Sequence, residues 1–143
     1  MLANSLRKSI CFKKLFFETV IFTGAHAIEA KNKFSKKTTH GEAVLSGMIL
    51  ATRLSVIKKV CSSNVLNQLK EIYKNNSLSY TFKNFSNVNK INSLIPYLKN
   101  DKKNNDDKIN FILLKRIGKT TLPNKFKISI SKLKKLSKFI AQY

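Results

Sequence analysis

The chain has 143 residues, 43 % of them hydrophobic and 10 % aromatic, which is enough for the core of one compact domain and too little for two full ones. With 28 Lys and Arg against 7 Asp and Glu, its formal net charge is +21, so it attracts phosphates, acidic membrane surfaces and nucleic acid without a dedicated site. No apolar run approaches the roughly 20 residues of a membrane span, so no membrane contact is expected beyond charge.

The basic excess is almost entirely lysine. The arginines are Arg7, Arg53 and Arg116 alone, whereas sites that read base edges or clamp phosphates favour the planar donor fork of arginine. Lys, Asn and Ile are abundant and have AT-rich codons, so genomic drift is the favoured interpretation of the charge. A small basic helical nucleic-acid-binding protein is the alternative. It predicts specific binding of DNA or RNA at physiological salt, above the level seen with random sequence.

Two cysteines, Cys11 and Cys61, form neither a CxxC pair nor a disulfide framework, so both are predicted to be reduced thiols that pack as small apolar side chains. Residues 8–27 imitate a secretory signal, with lysines, an apolar stretch and a small-x-small site. However, Glu18 divides the apolar stretch into two short pieces. The predicted location is therefore the cytoplasm.

The predicted elements begin after a leader, residues 1–22, whose pattern is poor. Residues 25–30 favour a helix, and the polar, basic residues 31–39 a loop. A long apolar helix follows from Ala43 to about Lys59, opened by a His-Gly-Glu sequence. Gly47 within it costs the helix up to ~1 kcal/mol against alanine, so close packing against another element is expected to compensate.

Two more helices are predicted in the middle of the chain. Ser63 or Asn64 can cap a helix that ends near residue 75 and carries an apolar stripe. Residues 89–99 have the composition of a short helix, in which Pro96 marks a kink or an early stop.

The C-terminal third is predicted to contain one hairpin and a closing helix. Residues 109–114 and 125–130 are interpreted as antiparallel strands around a turn at 117–119, and residues 130–143 as a basic helix. The predicted fold class is mainly α: a bundle-like helical domain with one small β-hairpin near the C-terminus.

Only two histidines occur, His26 and His40, and each lies near a glutamate. A catalytic zinc usually takes three protein ligands, commonly His with Asp or Glu, and leaves one position open. His26, His40 and Glu42 can meet if helix 25–30 packs against the start of the next helix. On spacing alone, ordinary packed or exposed histidines are the favoured interpretation.

The order of the residues around these histidines resembles the active-site signature of 3-dehydroquinate synthase. The chain has His-Ala-Ile-Glu from His26 and His-Gly-Glu-Ala-Val-x-x-Gly-Met from His40. The family carries Gly-His-x-x-Gly-His-Ala-Ile-Glu and then His-Gly-Glu-Ala-Val-x-x-Gly-Met. Downstream, Asp-Lys-Lys at Lys102 and Lys103, an apolar stretch and Ile-Gly are similar to a second family block. The resemblance covers roughly residues 23–143, which predicts a helical domain there.

The resemblance implies a phosphorus–oxygen lyase of the shikimate pathway, on the route to aromatic amino acids. Members convert 3-deoxy-D-arabino-heptulosonate 7-phosphate into 3-dehydroquinate and phosphate. In that family a bound NAD transiently oxidises a ring alcohol, and a divalent metal, usually zinc, polarises the hydroxyl that is oxidised. The new carbonyl acidifies the neighbouring C–H, so that phosphate can leave.

Site residues are carried over position by position. His40 matches a metal ligand of the family. His26 matches the second histidine of the first block, a catalytic residue that lies against substrate. Lys102 and Lys103 match the Asp-Lys-Lys block, whose lysine binds the phosphorylated sugar acid as a mobile point charge; a solvated charged turn is their structural alternative. Glu42 receives no role beyond compensating the charge at a helix N-terminus.

The departures from the family pattern bear on activity. The family's first histidine, a metal ligand, falls on Phe22, and its glycines on Ile21 and Ala25. Four glycines in the whole chain leave no room for the Gly-rich turn of a dinucleotide domain. The chain alone is therefore expected to bind zinc and NAD poorly, which leaves open whether it is an enzyme by itself.

The favoured interpretation is a C-terminal fragment, inactive alone, from a truncated or frame-disrupted gene, unless a separate N-terminal nucleotide-binding chain completes it. A fragment of a glycerol-dehydrogenase-like metal enzyme is a further alternative, disfavoured because both blocks fit the synthase.

Overall fold

The fold is taken from a computed structural model, which describes residues 21–32, 39–78, 83, 85–100 and 107–143, with the backbone alone at 21–23. In chain order the elements are α1 (Ile21–Lys31), α2 (His40–Ile57), α3 (Ser63–Asn75), α4 (Val88–Asn92), α5 (Ile95–Lys99), β1 (Lys108–Phe111), β2 (Leu114–Arg116), β3 (Lys119–Thr120), β4 (Phe126–Ser129) and α6 (Ile130–Gln142). The predicted mainly α fold class is confirmed. Within the described ranges, no helix has both the length and the apolar character needed to cross a bilayer.

Helix α2 is the centre of the fold. Nearly every residue from Ala43 to Ser55 is buried, whichever way it points around the helix. Such all-round burial requires neighbours on every side, and α2 packs against α1, α3, α6 and β2. Its apolar sequence is therefore the consequence of a central position.

Helices α1 and α2 cross at two glycines, which is the close packing that Gly47 predicts. A methyl group placed on Gly24 would lie 3.0 Å from the Cα of Gly47, and one placed on Gly47 would lie 3.1 Å from the backbone nitrogen of Ala25. Both contacts involve backbone atoms, which cannot rotate away as a flexible side chain can. The two helices therefore approach more closely than any larger residue would allow.

The N-terminus of α2 is fixed by a capping box. The Thr39 nitrogen donates to Oε2 of Glu42 over 2.8 Å, and the Glu42 nitrogen donates to the Thr39 hydroxyl over 3.2 Å. This exchange satisfies backbone donors that a helix start leaves without partners. As a result α2 begins at His40, three residues earlier than predicted, and His40 belongs to its first turn.

Helix α3 is attached to α2 through Tyr73, which is 1 % exposed. Its hydroxyl donates to the Leu45 carbonyl over 2.8 Å. Because the ring and its oxygen are buried, the pKa of Tyr73 is raised far above its usual value. Tyr73 therefore remains a neutral donor and fixes where α3 crosses the central helix.

The predicted helix over residues 89–99 is divided in two. Helix α4 ends at Asn92, and α5 begins at Ile95 with Pro96 in its first turn. Pro96 therefore starts a helix and does not stop one. The reason is that the first helical positions have no intrahelical acceptor for an N–H, so a proline loses nothing there.

The predicted hairpin is confirmed in outline and is more elaborate in detail. Strand β1 pairs antiparallel with β4, with Ile109 opposite Ile128. The predicted first strand, however, is interrupted after Phe111, and β2 and β3 form a second antiparallel pair inside the first. At the interruption the Leu113 nitrogen donates to the Thr121 hydroxyl over 3.0 Å, and the Thr121 nitrogen donates to the Leu113 carbonyl over 2.8 Å. A side chain thus replaces one rung of the ladder.

A buried serine connects this hairpin to the central helix. Ser55, which is fully buried, donates its hydroxyl to the Ala51 carbonyl over 2.6 Å and accepts the Leu114 N–H over 2.7 Å. Without Ser55 that buried N–H would have no partner, which typically costs about 1–3 kcal/mol. The serine therefore fixes the register between hairpin and helix.

Arg53, on the same helix, is only 4 % exposed. Its Nη1 donates to two backbone carbonyls, those of Phe85 at 2.9 Å and Ile140 at 3.1 Å. Ile140 lies in the last turn of α6, where carbonyls lack helical partners. Burial lowers the pKa of Arg53 to about 10. Because this value is still above neutral pH, the side chain remains charged there. Arg53 thus ties three separate segments together.

Candidate functional site

The candidate site lies where one face of α1 meets the first turn of α2. His26 and Glu29 are three residues apart on α1, so they are neighbours on the helix surface. His40 is the first residue of α2. The α1–α2 crossing at Gly24 and Gly47 brings these two helices together, so the site depends directly on the tightest contact of the fold.

A carboxylate–imidazole pair is the central contact of this site. Nδ1 of His40 lies 2.8 Å from Oε1 of Glu29. The Glu29 side chain is largely buried, at 14 % exposed, whereas the His40 side chain is 59 % exposed. Because an ionised carboxylate can only accept, the proton of this hydrogen bond is on Nδ1. In the neutral ring, Nε2 then carries a lone pair that can bind a metal.

The capping box makes a rigid base for this imidazole. Glu42 Oε2 accepts from both the backbone nitrogen and the hydroxyl of Thr39, so its carboxylate is used at the helix start, in line with the minor role predicted for it. Among the residues that the structure describes, no three His, Cys, Asp or Glu side chains are grouped closely enough to hold a metal ion. The three-ligand set of His26, His40 and Glu42, which spacing left open, is therefore not formed.

Of the other predicted site residues, the structure describes His26 but not the two lysines. His26 is exposed on α1. Lys102 and Lys103 lie outside the described residues, so their predicted roles remain predictions. Helix α5, which ends at Lys99 shortly before them, packs against α1. The chain therefore leaves the core beside the helix that carries His26 and Glu29.

Cys61 is not a candidate nucleophile. It is a free thiol that packs, half-buried, against the core, as predicted. Burial raises the pKa of its thiol, which disfavours the thiolate that nucleophilic attack requires. Cys11, the other cysteine, lies outside the described residues.

His40 fits the role of a metal ligand, and the chain alone does not fit that of a complete metal site. A ligating histidine usually donates its other ring N–H to a carboxylate or carbonyl, and the Glu29 bond is of this kind. A catalytic zinc needs about three protein donors, however, and further donors would have to come from outside the described residues. The metal would polarise a substrate oxygen as a Lewis acid.

Comparison with solved structures identifies the class of fold. The chain is similar to 2-deoxy-scyllo-inosose synthase, solved as a complex with carbaglucose-6-phosphate, NAD+ and Co2+, with a TM-score of 0.60 and 22 % sequence identity. The match covers 83 % of this chain and 33 % of that one. The helices and the hairpin therefore have the arrangement found in one part of 2-deoxy-scyllo-inosose synthase.

Comparison of sequences then identifies the family. The family described as 3-dehydroquinate synthase C-terminal matches residues 22–104, a range that contains the whole α1–α2 site. The chain belongs to this family. It is 36 % identical over 96 residues to the 3-dehydroquinate synthase of Pelagibacter ubique, covering 67 % of this chain, and 42 % identical over 100 residues to that of Dictyoglomus thermophilum, covering 70 % of it.

The chain spans about a quarter of the length of these relatives, since each match covers 26 % of the relative. None of the proteins named in these comparisons is described as binding nucleic acid. The family is thus shown by the comparisons, and the alternative of a nucleic-acid-binding protein gains no support from them.

One residue of the candidate site, Glu29, has no role in the sequence-based prediction. The resemblance includes it as the last residue of His-Ala-Ile-Glu but assigns a role only to His26 in that block. The available signal is its position three residues after His26, which puts both side chains on the same helix face. Its contact with His40 could not be predicted, because it depends on how α1 crosses α2.

Proposed function

We propose that this chain provides the helical metal- and substrate-binding part of a 3-dehydroquinate synthase, which acts in the cytoplasm on 3-deoxy-D-arabino-heptulosonate 7-phosphate in the shikimate pathway. Turnover requires a dinucleotide-binding part that supplies NAD and the other metal donors, either as a separate chain or as an attached domain. The observation that carries this proposal is the Glu29–His40 hydrogen bond of 2.8 Å inside the segment that matches the family.

Three further observations support the proposal. His26 lies one helical turn from Glu29 on α1, where it can contact a substrate whose hydroxyl is held near His40. The lysines of the Asp-Lys-Lys block follow α5, which packs on α1, and a lysine suits a phosphate or carboxylate. The similarly folded 2-deoxy-scyllo-inosose synthase was solved with NAD+ and Co2+, which is compatible with a nicotinamide and divalent metal here.

In this proposal the chain's own residues perform two tasks. His40 presents Nε2 to a divalent metal, while Glu29 accepts the proton of Nδ1 and keeps the ring in place. His26 and the two lysines bind and orient the phosphorylated sugar acid. NAD, when bound by the missing part, supplies the transient oxidation and reduction. None of these tasks releases phosphate without the others, so the chain alone should be inactive.

The first test uses the isolated chain. With NAD, zinc and the heptulosonate phosphate, we expect no phosphate release above background, because the described residues form no three-donor metal site. Phosphate release is measured directly, with the full-length Dictyoglomus thermophilum synthase as a positive control. Turnover by the isolated chain would show that no second part is needed.

The second test is a chimera in which residues 22–143 replace the corresponding part of the Dictyoglomus thermophilum synthase, 42 % identical to this chain over 100 residues. The chimera carries Phe22→His, which restores the histidine of the family pattern. We expect phosphate release from this chimera. His40→Ala in the same chimera should lower the release on the order of 100-fold or more, because removing a metal ligand should weaken metal binding at least as much as removing a residue that only orients one.

Lys134→Ala, an exposed change on α6, is the matched control and should leave phosphate release unchanged. The proposal would be wrong if the chimera folds and binds NAD, yet releases no more phosphate than its His40→Ala variant.

A further inference from the structure

The Glu29–His40 contact bears on which nitrogen of the His40 ring carries the proton. A metal-ligating imidazole has two equivalent-looking nitrogens, and it is useful to the metal only if the correct one carries the lone pair. In this chain His40 is exposed at 59 %, so solvent alone would let the ring rotate and exchange tautomers. A contact that selects one state therefore prepares the ring for a metal, which would otherwise have to select that state on binding.

From this geometry, and resting on the proposed function, we infer that Glu29 is a positioning residue that holds His40 in the Nδ1–H tautomer. In this tautomer Nε2 keeps the lone pair with which the ring can bind a metal. The partner is a carboxylate, which accepts hydrogen bonds and donates none when ionised. A proton on Nδ1 is thus required for the 2.8 Å contact, and no second tautomer can form it.

The surroundings of the pair make this selection rigid. Glu29 is 14 % exposed and lies on α1, which the glycine crossing holds against α2. His40 lies in a first turn fixed by the Thr39–Glu42 capping box. Both ends of the hydrogen bond are therefore attached to helices whose separation is set by backbone contacts. Within the described ranges, the His40 imidazole is hydrogen-bonded to the Glu29 carboxylate.

Glutamine at position 29 provides the sharpest test, because it has the shape of glutamate with different hydrogen-bonding chemistry. Its carbonyl oxygen can accept from Nδ1–H, and its amide can instead donate to an unprotonated Nδ1. Glu29→Gln therefore permits both tautomers where glutamate permits one. A purely structural role, filling space beside His40, would be preserved by this substitution.

The experiment is nitrogen-15 NMR of the metal-free, full-length chain at alkaline pH, where the two ring nitrogens report the tautomer directly. We expect the Nδ1–H form to predominate for His40 in the unmodified chain and a mixture of both forms in Glu29→Gln. Glu71→Gln, which changes an exposed carboxylate on α3, is the matched control and should leave the His40 signals unchanged. Circular dichroism verifies that each variant is folded.

Two results would overturn the inference: a predominant Nε2–H form in the unmodified chain, or an unchanged tautomer in a folded Glu29→Gln chain. The first needs no variant, so the test does not depend on the folding of Glu29→Gln. In the chimera, Glu29→Gln should weaken zinc affinity about 10- to 100-fold, as measured by chelator competition. A fixed tautomer in an inactive chimera would refute the proposed function and leave the inference standing.

Discussion

Gly47→Leu is expected to lower the free energy of unfolding by at least about 3 kcal/mol, because overfilling a tight core contact typically costs 1–3 kcal/mol and more where backbone must move. Even a methyl group on Gly47 would lie 3.1 Å from the Ala25 nitrogen, and leucine adds three more carbons. The two helices would have to separate by most of a side-chain width. The gain in helix propensity, up to about 1 kcal/mol, is too small to offset this.

Urea denaturation followed by circular dichroism measures the effect as a lower midpoint. Gly41→Leu is the matched control, since Gly41 is exposed in the first turn of the same helix and, among the described residues, the nearest atom to a methyl group there is the Thr39 hydroxyl at 4.0 Å. It should leave the midpoint unchanged or raise it. Equal stability of the two variants would show that the fold does not require the close approach of α1 and α2 at the two glycines.

Arg53→Met is expected to cost about 3 kcal/mol, because it leaves two buried carbonyls without a donor at a typical 1–3 kcal/mol each. The carbonyls are those of Phe85 and Ile140, both in residues that are fully buried. Methionine replaces much of the apolar stem, so little of the loss comes from a cavity. Removing the buried charge itself is favourable, which keeps the net cost below the sum of both terms.

Arg116→Met provides the comparison, since Arg116 is exposed in β2 and surface substitutions usually change stability by less than about 0.5 kcal/mol. The stability of Arg53→Lys should lie between those of Arg53→Met and Arg116→Met, because a lysine ammonium can donate to one of the two carbonyls more easily than to both at once. The midpoint of urea unfolding decides the matter. An Arg53→Met chain as stable as the unmodified one would mean that the guanidinium holds neither segment in place.

The sequence predicted the helices well where local rules decide them. Gly47 is an example: a glycine in the middle of an apolar helix has a cost that only close packing offsets, and the structure has that packing at Gly24. The order and type of the later elements also followed from apolar spacing, whereas the cap of α3 expected at Ser63 or Asn64 is Ser62, whose side chain makes no capping hydrogen bond. Physical rules that act over a few residues are available to sequence reasoning.

The structure differs from the prediction where distant segments or the geometry of a neighbouring turn decide the local conformation. The break after Phe111 depends on Thr121 and Ser55, which donate to or accept from the interrupted strand across many residues. For Pro96 the sequence predicts a kink or an early stop. The helix is interrupted just before it, and Pro96 lies in the first turn of α5. A proline at a helix start and one at a helix stop look alike until the neighbouring turn is known. The strand break is determined by tertiary partners, which are invisible in a local pattern, and the place of Pro96 by the turn that precedes it.

The candidate site was predicted only in part for the same reason. The resemblance to the synthase singled out His26 and His40, and the α1–α2 crossing relates the helices that carry them. The partner of His40 was missed, because Glu29 is separated from it by eleven positions along the chain. For Lys102 and Lys103 the prediction remains untested.

The central position of α2 has a consequence for how this protein could vary over evolution. His40 is anchored at the outer end of a helix whose remaining length is surrounded by the core, so the imidazole cannot be shifted without repacking most of the domain. Segments of lower stability, such as surface connections, adjust at little cost. A change in what binds here is therefore easier to reach by altering the surface segments around the His40 imidazole than by moving the imidazole itself.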